Sequence, residues 1–267
     1  MTRLERIRYL NHILLDEMPF CREEAAAFPK TMDGERRLLH SLMNVRPPAP
    51  LNEDFLKEQD VLLQEEAKEK GIVTLADLPL VSPQKPHIFL WQGDITRLAV
   101  DAIVNAANST LLGCFVPCHG CIDNAIHSAA GLQLRNACYA IMQEQGHEEF
   151  AGQAKITPAF NLPSRYVLHT VGPIIVPGCQ PTPEEEALLT GCYRSCLALA
   201  SENDLKSIAF CCISTGEFHY PNRQAAALAI QTVREWLGEM QSPMNVLFNV
   251  FKDEDATIYR ELLKKDI

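Results

Sequence analysis

The 267-residue sequence contains no apolar run of the roughly 20 residues needed to cross a bilayer. Its first ten residues, MTRLERIRYL, carry charges every few positions, so the uninterrupted apolar stretch of an export signal is missing too. Positive charge is scarce: 24 Lys and Arg stand against 34 Asp and Glu, a formal net charge of -10. A nucleic-acid surface needs a positive field to meet phosphates. Neither nucleic acid nor membrane is therefore an expected partner, whereas a small anion held by backbone N–H groups remains compatible. Internal repeats and low-complexity segments are absent as well. Ten cysteines in a chain without an export signal read as reduced thiols or metal ligands rather than disulfides, and the expected compartment is the cytoplasm.

Apolar residues make up 47% of the chain, ample for a buried core. Their spacing divides the chain in two. In residues 1–80, Leu4, Ile7, Leu10 and Leu14 fall on one helical stripe. Leu38, Leu39, Leu42 and Met43 suggest a second helix, stopped by Pro47, Pro48 and Pro50, and Phe55, Leu62 and Leu63 mark a third that ends near Gly71. No strand is expected there, so residues 1–80 read as an N-terminal helical extension and 81–267 as the main domain.

From Pro86 onward, short β-branched and aromatic runs alternate with helical ones. The strand candidates are HIFLW from His87, AIVN from Ala102, RYVLHTV from Arg165, SIAFCCI from Ser207 and NVLFNVF from Asn245. Thr182-Pro183-Glu184-Glu185 is a capping box with proline at the first helical position. Another helix follows Pro221. A last one begins near Asp253, with acids at its start and Lys264 and Lys265 at its end, as the helix dipole prefers. Such alternation implies a mostly parallel sheet covered on both faces, with any ligand outside the carboxyl ends of the strands.

Three polar stretches stand where those strands should end: QGDIT from Gln92, NAANS from Asn105, and STGEFHYP from Ser214. Each alone has a plain structural explanation. Asp94 suits a turn, Asn105 and Asn108 can cap the chain as it bends, and Ser214-Thr215-Gly216 alone reads first as an ordinary turn and second as a phosphate-binding loop before a helix. A fourth stretch, LGCFVPCHGCIDNAIH from Leu112 to His127, packs Cys114, Cys118, His119 and Cys121 into eight residues and places Asp123 two further on. Thiolate and imidazole are preferred zinc ligands. Four such ligands would close the site and make the metal structural; three would leave a position open for chemistry.

Taken together these stretches resemble the macrodomain family. The resemblance rests on Gly93-Asp94-Ile95-Thr96, on Val104-Asn105-Ala106-Ala107-Asn108-Ser109, and on Asp123-Asn124-Ala125-Ile126-His127 with Ala130-Gly131. It continues through Leu168-His169-Thr170-Val171-Gly172-Pro173 and Ile213-Ser214-Thr215-Gly216 to Tyr220-Pro221, covering the chain from about Pro86 to its end. It implies a three-layer α/β/α macrodomain with a mixed, mostly parallel central sheet behind the N-terminal helical extension. It also implies an ADP-ribose site: the Asp94 carboxylate accepting from the adenine amino group with the Ile95 backbone nearby, Ser214, Thr215, Gly216, Glu217 and Phe218 wrapping the diphosphate, Asn108 on the distal ribose, and Val250 and Phe251 along the adenosine. His127 and His169 are assigned to structure, as hydrogen-bonded core histidines.

The chain departs from most macrodomains between NAAN and the D-x-A-I-H helix, where LLGCFVPCHGCID replaces a glycine run. In this it is similar to the zinc-containing bacterial branch, some members of which are encoded beside a sirtuin-type ADP-ribosyltransferase. VRPPAPLNEDFL in the extension (Val45 to Leu56) looks like that branch too. There the metal ligands correspond to Cys114, His119 and Cys121. In an extended loop His119 and Cys121 point the same way and Cys118 points away, although a tight turn after Pro117 would undo that argument. The implied activity is zinc-dependent removal of mono-ADP-ribose from protein side chains, with Asp123 as general base, or alternatively as a helix N-cap, and Asn108 orienting the ribose. The implied substrate is an ADP-ribosylated protein, such as a lipoyl carrier related to the glycine-cleavage H protein. The rival readings are a module that binds ADP-ribose without chemistry, and a purely structural zinc module.

Overall fold

Capping residues open the N-terminal helices of the computed structural model, which describes residues 1–82 and 85–264. Thr2 caps α1 (Arg3–Glu17): its hydroxyl accepts from the Glu5 N–H, and the Glu5 carboxylate accepts from the Thr2 N–H. A short α2 (Arg22–Ala26) follows. Thr31 caps α3 (Met32–Val45) and Asn52 caps α4 (Glu53–Lys70), which stops at Gly71 with a φ of 82° that favours glycine. The predicted apolar stripes meet: Ile7, Leu10, Leu14, Leu38, Leu39, Leu42, Phe55 and Leu62 are buried in one core, joined by Leu132 from the main domain. Leu4 stays half-buried. Truncating the fully buried Leu39 to Ala would cost about 2–5 kcal/mol in lost transfer energy and cavity.

The extension is not wholly helical, contrary to the expectation of no strand before residue 80. β1 (Val73–Thr74) lies within it, and β2 (Leu80–Ser82) begins at its edge. The chain continues through β3 (Lys85–Gln92), β4 (Leu98–Ala99) and β5 (Ala102–Ala106), then helices α5 (Ile122–Ala130) and α6 (Leu132–Gln145). It goes on to β6 (Ala154–Pro158), β7 (Tyr166–Thr170), α7 (Pro183–Glu202), β8 (Ser207–Phe210), α8 (Asn222–Met240), β9 (Asn245–Val250) and α9 (Asp253–Lys264). Lys265 lies outside the described residues. The capping box predicted at Thr182 and Glu185 opens α7, with both reciprocal hydrogen bonds formed.

Seven strands form one sheet in the order β2-β3-β9-β8-β5-β7-β6, while β1 pairs in parallel with β4 apart from it. The five central strands run parallel and only the edge strands β2 and β6 are antiparallel. Helices α7, α8 and α9 pack side by side on one face; α5 and α6 cover the other, and α3 and α4 of the extension lie against α5. The result is a three-layer α/β/α macrodomain fold with a mixed, mostly parallel sheet. Buried on both faces, the central strands carry near-continuous apolar runs. β8 stops at Phe210, shorter than the SIAFCCI run, because Cys211 to Ile213 already lead into the next loop. The carboxyl ends of β3, β5, β8 and β9 deliver Gln92, Ala106, Phe210 and Val250 to the same end of the sheet.

Candidate active site

A cavity of about 630 Å³ opens at those strand ends, a size suited to a nucleotide-like ligand. Asp94, Ile95, Asn108, Cys114, His119, Cys121, Asp123 and the segment Ser214 to Phe218 all line it, so the sequence-predicted residues meet in one place.

At one end stands Asp94. Its Oδ1 accepts from the Thr96 N–H at 3.0 Å and the Thr96 hydroxyl at 2.7 Å, capping the turn Ile95–Arg97, and its Oδ2 lies 3.7 Å from Lys70 Nζ of α4. The turn thus occupies Oδ1 and leaves Oδ2 outside the cap. The Ile95 side chain is buried in the core, which leaves its backbone to face the cavity. Phe251 is 75% exposed and lines the cavity, whereas Val250 is fully buried. The expectation for Val250 is corrected: it ends β9 facing the core, and only Phe251, just past the strand, faces the cavity.

The loop after β8 is wound tightly. Ser214 and His219 both sit in the left-handed region, with φ of 64° and 56°, an uncommon conformation for residues with a Cβ and a source of local strain. The Tyr220 N–H closes the loop onto the Ser214 carbonyl at 3.0 Å. Among the described residues, the amides of Gly216, Glu217 and Phe218 find no protein acceptor, as expected of a segment built to offer N–H groups to an anion. Gly172 faces this loop, and a side chain there would collide with the buried Ser214 hydroxyl.

The cysteine loop closes the opposite end. Cys114, His119 and Cys121 place their ligand atoms within 4.8 Å of one another, with Cys114 Sγ 3.6 Å from His119 Nδ1. Donors around one tetrahedral zinc stand roughly 3.3–3.9 Å apart, given bonds of about 2.0–2.3 Å, so this set fits the ion with a small contraction. Burial pushes the Cys121 thiol up to about 11, and the adjacent Cys114 thiol adds to the shift; a metal cation between them would displace that proton. His119 Nε2 lies 3.7 Å from Glu217 Oε1, so the loop after β8 offers a carboxylate to the far side of the ring, a common support for a metal-bound imidazole. Cys118 is not in the cluster. The loop is not extended there: His119 N–H bonds the Val116 carbonyl, Cys118 has a φ of 52°, and its Sγ turns out to the Arg37 carbonyl of α3. Cys118 therefore points away because of the turn, not because of strand-like alternation.

Beneath the cluster lies Asp123, buried at the start of α5. It is not the N-cap. Cys121 is, its Sγ accepting from the Asn124 N–H at 3.4 Å, and Asp123 stands in the first turn. Asp123 Oδ1 accepts from Asn105 Nδ2 at 2.7 Å and Oδ2 from Asn108 Nδ2 at 3.3 Å. Burial raises its carboxyl to about 6, against the opposing Asn105 hydrogen bond and the Arg135 charge. Asn108 is heavily engaged, donating also to the Gly113 carbonyl and accepting from Thr110. Gly113, at a φ of 80°, passes so close that a Cβ would come within 2.8 Å of the His127 ring. His169 is a hydrogen-bonded core histidine, between Asn105 Nδ2 at 3.2 Å and Thr157 Oγ1 at 2.9 Å. His127 is also buried, but neither ring nitrogen makes a hydrogen bond; its Nε2 lies 3.5 Å from Asp123 Oδ1.

Two residues escaped the sequence reading. Asn105 was visible within NAAN, but only the pairing of β5 with β7 sets it between Asp123 and His169. Arg135, buried on α6, lies over the Phe115 ring at 4.3 Å and donates to the Leu112 carbonyl; nothing in its local sequence marks it.

Comparison with known proteins agrees with this fold. The macro domain family profile matches residues 104–229. A protein-ADP-ribose hydrolase of Treponema medium is 52% identical over 264 residues, covering 98% of this chain and 100% of the relative. One from Staphylococcus aureus (strain MSSA476) is 43% identical over 245 residues, 91% of this chain and 90% of the relative. The Trypanosoma brucei macrodomain solved in complex with ADP-ribose superposes with a TM-score of 0.65 at 32% identity, over 83% of this chain and 94% of that one. With its cavity at the strand ends of such a sheet and relatives that match it along nearly its whole length, the chain belongs to the macrodomain family.

Proposed function

We propose that this chain is a hydrolase that releases mono-ADP-ribose from modified protein side chains, and that it requires zinc held by Cys114, His119 and Cys121. The observation that carries the reading is the meeting, in one cavity, of a loop of free amides, an open three-donor cluster and a buried carboxylate. The names of the Treponema and Staphylococcus relatives support the activity. Asp94 and the amides of Gly216, Glu217 and Phe218 bind the adenine and diphosphate. Bound zinc supplies a Lewis acid that polarises an oxygen or lowers the pKa of a water. Asp123 accepts the proton of a water that attacks the anomeric carbon of the distal ribose, as the bond from that carbon to the protein side chain breaks and the side chain departs. The raised pKa of Asp123 keeps it basic enough for that task yet mostly ionised at neutral pH, and Asn105 and Asn108 fix both of its oxygens.

The protein substrate is an ADP-ribosylated protein; a lipoyl carrier of the glycine-cleavage type and a partner sirtuin-type transferase belong to the same reading. Ten free thiols agree with a reducing compartment, the cytoplasm, and among the described residues no helix is long and apolar enough to cross a membrane. The test is release of free ADP-ribose from an ADP-ribosylated protein before and after zinc is stripped by a chelator and restored. A binding module would retain the modified protein and release nothing.

A further inference from the structure

The contacts between α3 and the cysteine loop go beyond packing. Asn44, in the last turn of α3, is buried and uses both ends of its amide on the main domain. Its Oδ1 accepts from the Cys118 N–H at 2.8 Å, and its Nδ2 donates to Ser128 Oγ at 3.0 Å. Ser128 in turn donates to Asn124 Oδ1 at 3.2 Å, and that same oxygen meets His40 Nε2 of α3 at 2.8 Å. Asn124 Nδ2 donates to the Val116 carbonyl at 3.1 Å, while its backbone N–H meets Cys121 Sγ. Arg135 seals the junction. It donates from Nε to the Leu112 carbonyl and from Nη1 to the carbonyls of Met43, Asn44 and Arg46 at the end of α3. Those carbonyls are the groups a helix leaves without partners at its C-terminus, and a guanidinium suits their negative dipole end.

We infer that the N-terminal extension forms part of the metal loop, with Asn44 a positioning residue that sets the turn Val116–His119 and so brings His119 to Cys114 and Cys121. Cys118 adopts a left-handed conformation that is costly for a residue with a Cβ. The acceptor for its N–H comes from α3, and His119 is the next residue along. Cys118 thus contributes a backbone donor to the extension while its thiol faces the Arg37 carbonyl, away from the ligands. The consequence for zinc rests on the functional reading above; the placement of the loop does not.

The test compares the wild-type chain with Asn44→Ala and with Gln59→Ala. Gln59 is an equally buried residue of the extension that accepts from the Leu132 N–H and donates to Gln133, with its side-chain hydrogen bonds outside the cysteine loop. Amide hydrogen exchange of the metal-free proteins is read over residues 114–121, and zinc affinity by competition with a chromogenic chelator. Asn44→Ala is expected to speed exchange over Val116–His119 and to weaken zinc about tenfold, the low end for groups that orient metal ligands, with ADP affinity unchanged. Gln59→Ala is expected to move neither. Unchanged loop exchange in Asn44→Ala, or equal changes in both variants, would overturn the proposal. If Asn44→Ala does not fold, His40→Ala, which removes the bond to Asn124 from a half-buried position, carries the same expectation and the same refutation. A wild-type chain that takes up no zinc would refute the functional reading, and the exchange data would still decide this one.

Discussion

At the Asp94 end of the cavity, the polar groups come from the sheet's own turns: Asp94 caps the residues that follow it, and the Ser214 to His219 loop leaves backbone amides without a protein acceptor among the described residues. The cysteine end draws on more distant groups as well. The loop from Leu112 to Cys121 hangs on Asn44 and His40 of the extension, on Asn124 of α5 and on Arg135 of α6, contributed from 8 to 84 residues away when measured against their partners Val116, Leu112, Cys118 and Asn124. The first end is built by short-range turn chemistry. The second needs the whole molecule assembled before its three donors meet. This difference lets recognition and chemistry be separated by experiment.

The largest separation comes from the metal. Stripping zinc from the wild-type chain is expected to abolish release of ADP-ribose while calorimetry still finds ADP bound with near-native affinity; loss of both together would mean the two ends are one unit. Next is Asp123→Ala, where loss of the base is expected to lower the single-turnover rate by about 10²–10⁴, with zinc and ADP retained. A wild-type rate in that variant would leave Asp123 a buried support for Asn105 and Asn108 only. Asp94→Ala addresses the other end. Losing a charge-assisted acceptor, worth about 1.5–3 kcal/mol, should weaken ADP about tenfold or more while zinc stoichiometry stays the same. An unchanged affinity in the folded variant would remove Asp94 from adenine recognition.

The smallest effect is on stability. Burial pushes His169, behind Asp123, down to about 3. An unfolded imidazole titrates near 6.5, so below that pH the unfolded chain takes up a proton that the native chain refuses. The contribution of the neutral ring is therefore complete above about pH 6.5 and is lost as pH falls from there toward 3. By pH 5 the loss is on the order of 2 kcal/mol, at about 1.4 kcal/mol per unit. Thermal unfolding at pH 7 and pH 5 should show a lower Tm at pH 5, and a smaller drop in His169→Gln. Equal drops in both proteins would show that His169 does not carry this dependence.

Much of this arrangement was legible in the chain. The strand candidates AIVN, RYVLHTV and NVLFNVF lie on β5, β7 and β9, since buried parallel strands need continuous apolar runs, and Thr182 with Glu185 marked the start of α7. Residues whose role is local were readable: Asp94 in its turn, Ser214 to Phe218 in their loop. Edge strand β6 was missed because AKITP mixes a charge and a proline into five residues, tolerable only where one side has no partner. The N-cap role passed from Asp123 to Cys121 because the cysteine loop tightens just before the helix. Asn44 and Arg135, and the role of Asn105 between Asp123 and His169, were hidden for a common reason. Each acts through partners brought near only by tertiary packing, and no periodicity encodes that.

The most direct measurement takes zinc content and ADP-ribose release of Cys118→Ser and Cys121→Ser side by side. Cys121 carries one of three donors, and Cys118 turns its thiol to the Arg37 carbonyl outside the cluster. Cys121→Ser is expected to lose stoichiometric zinc and turnover together, and Cys118→Ser to keep both. If Cys118→Ser loses the metal as completely as Cys121→Ser, the site is a closed four-ligand centre with no position left for substrate or water, and zinc has no part in the hydrolysis.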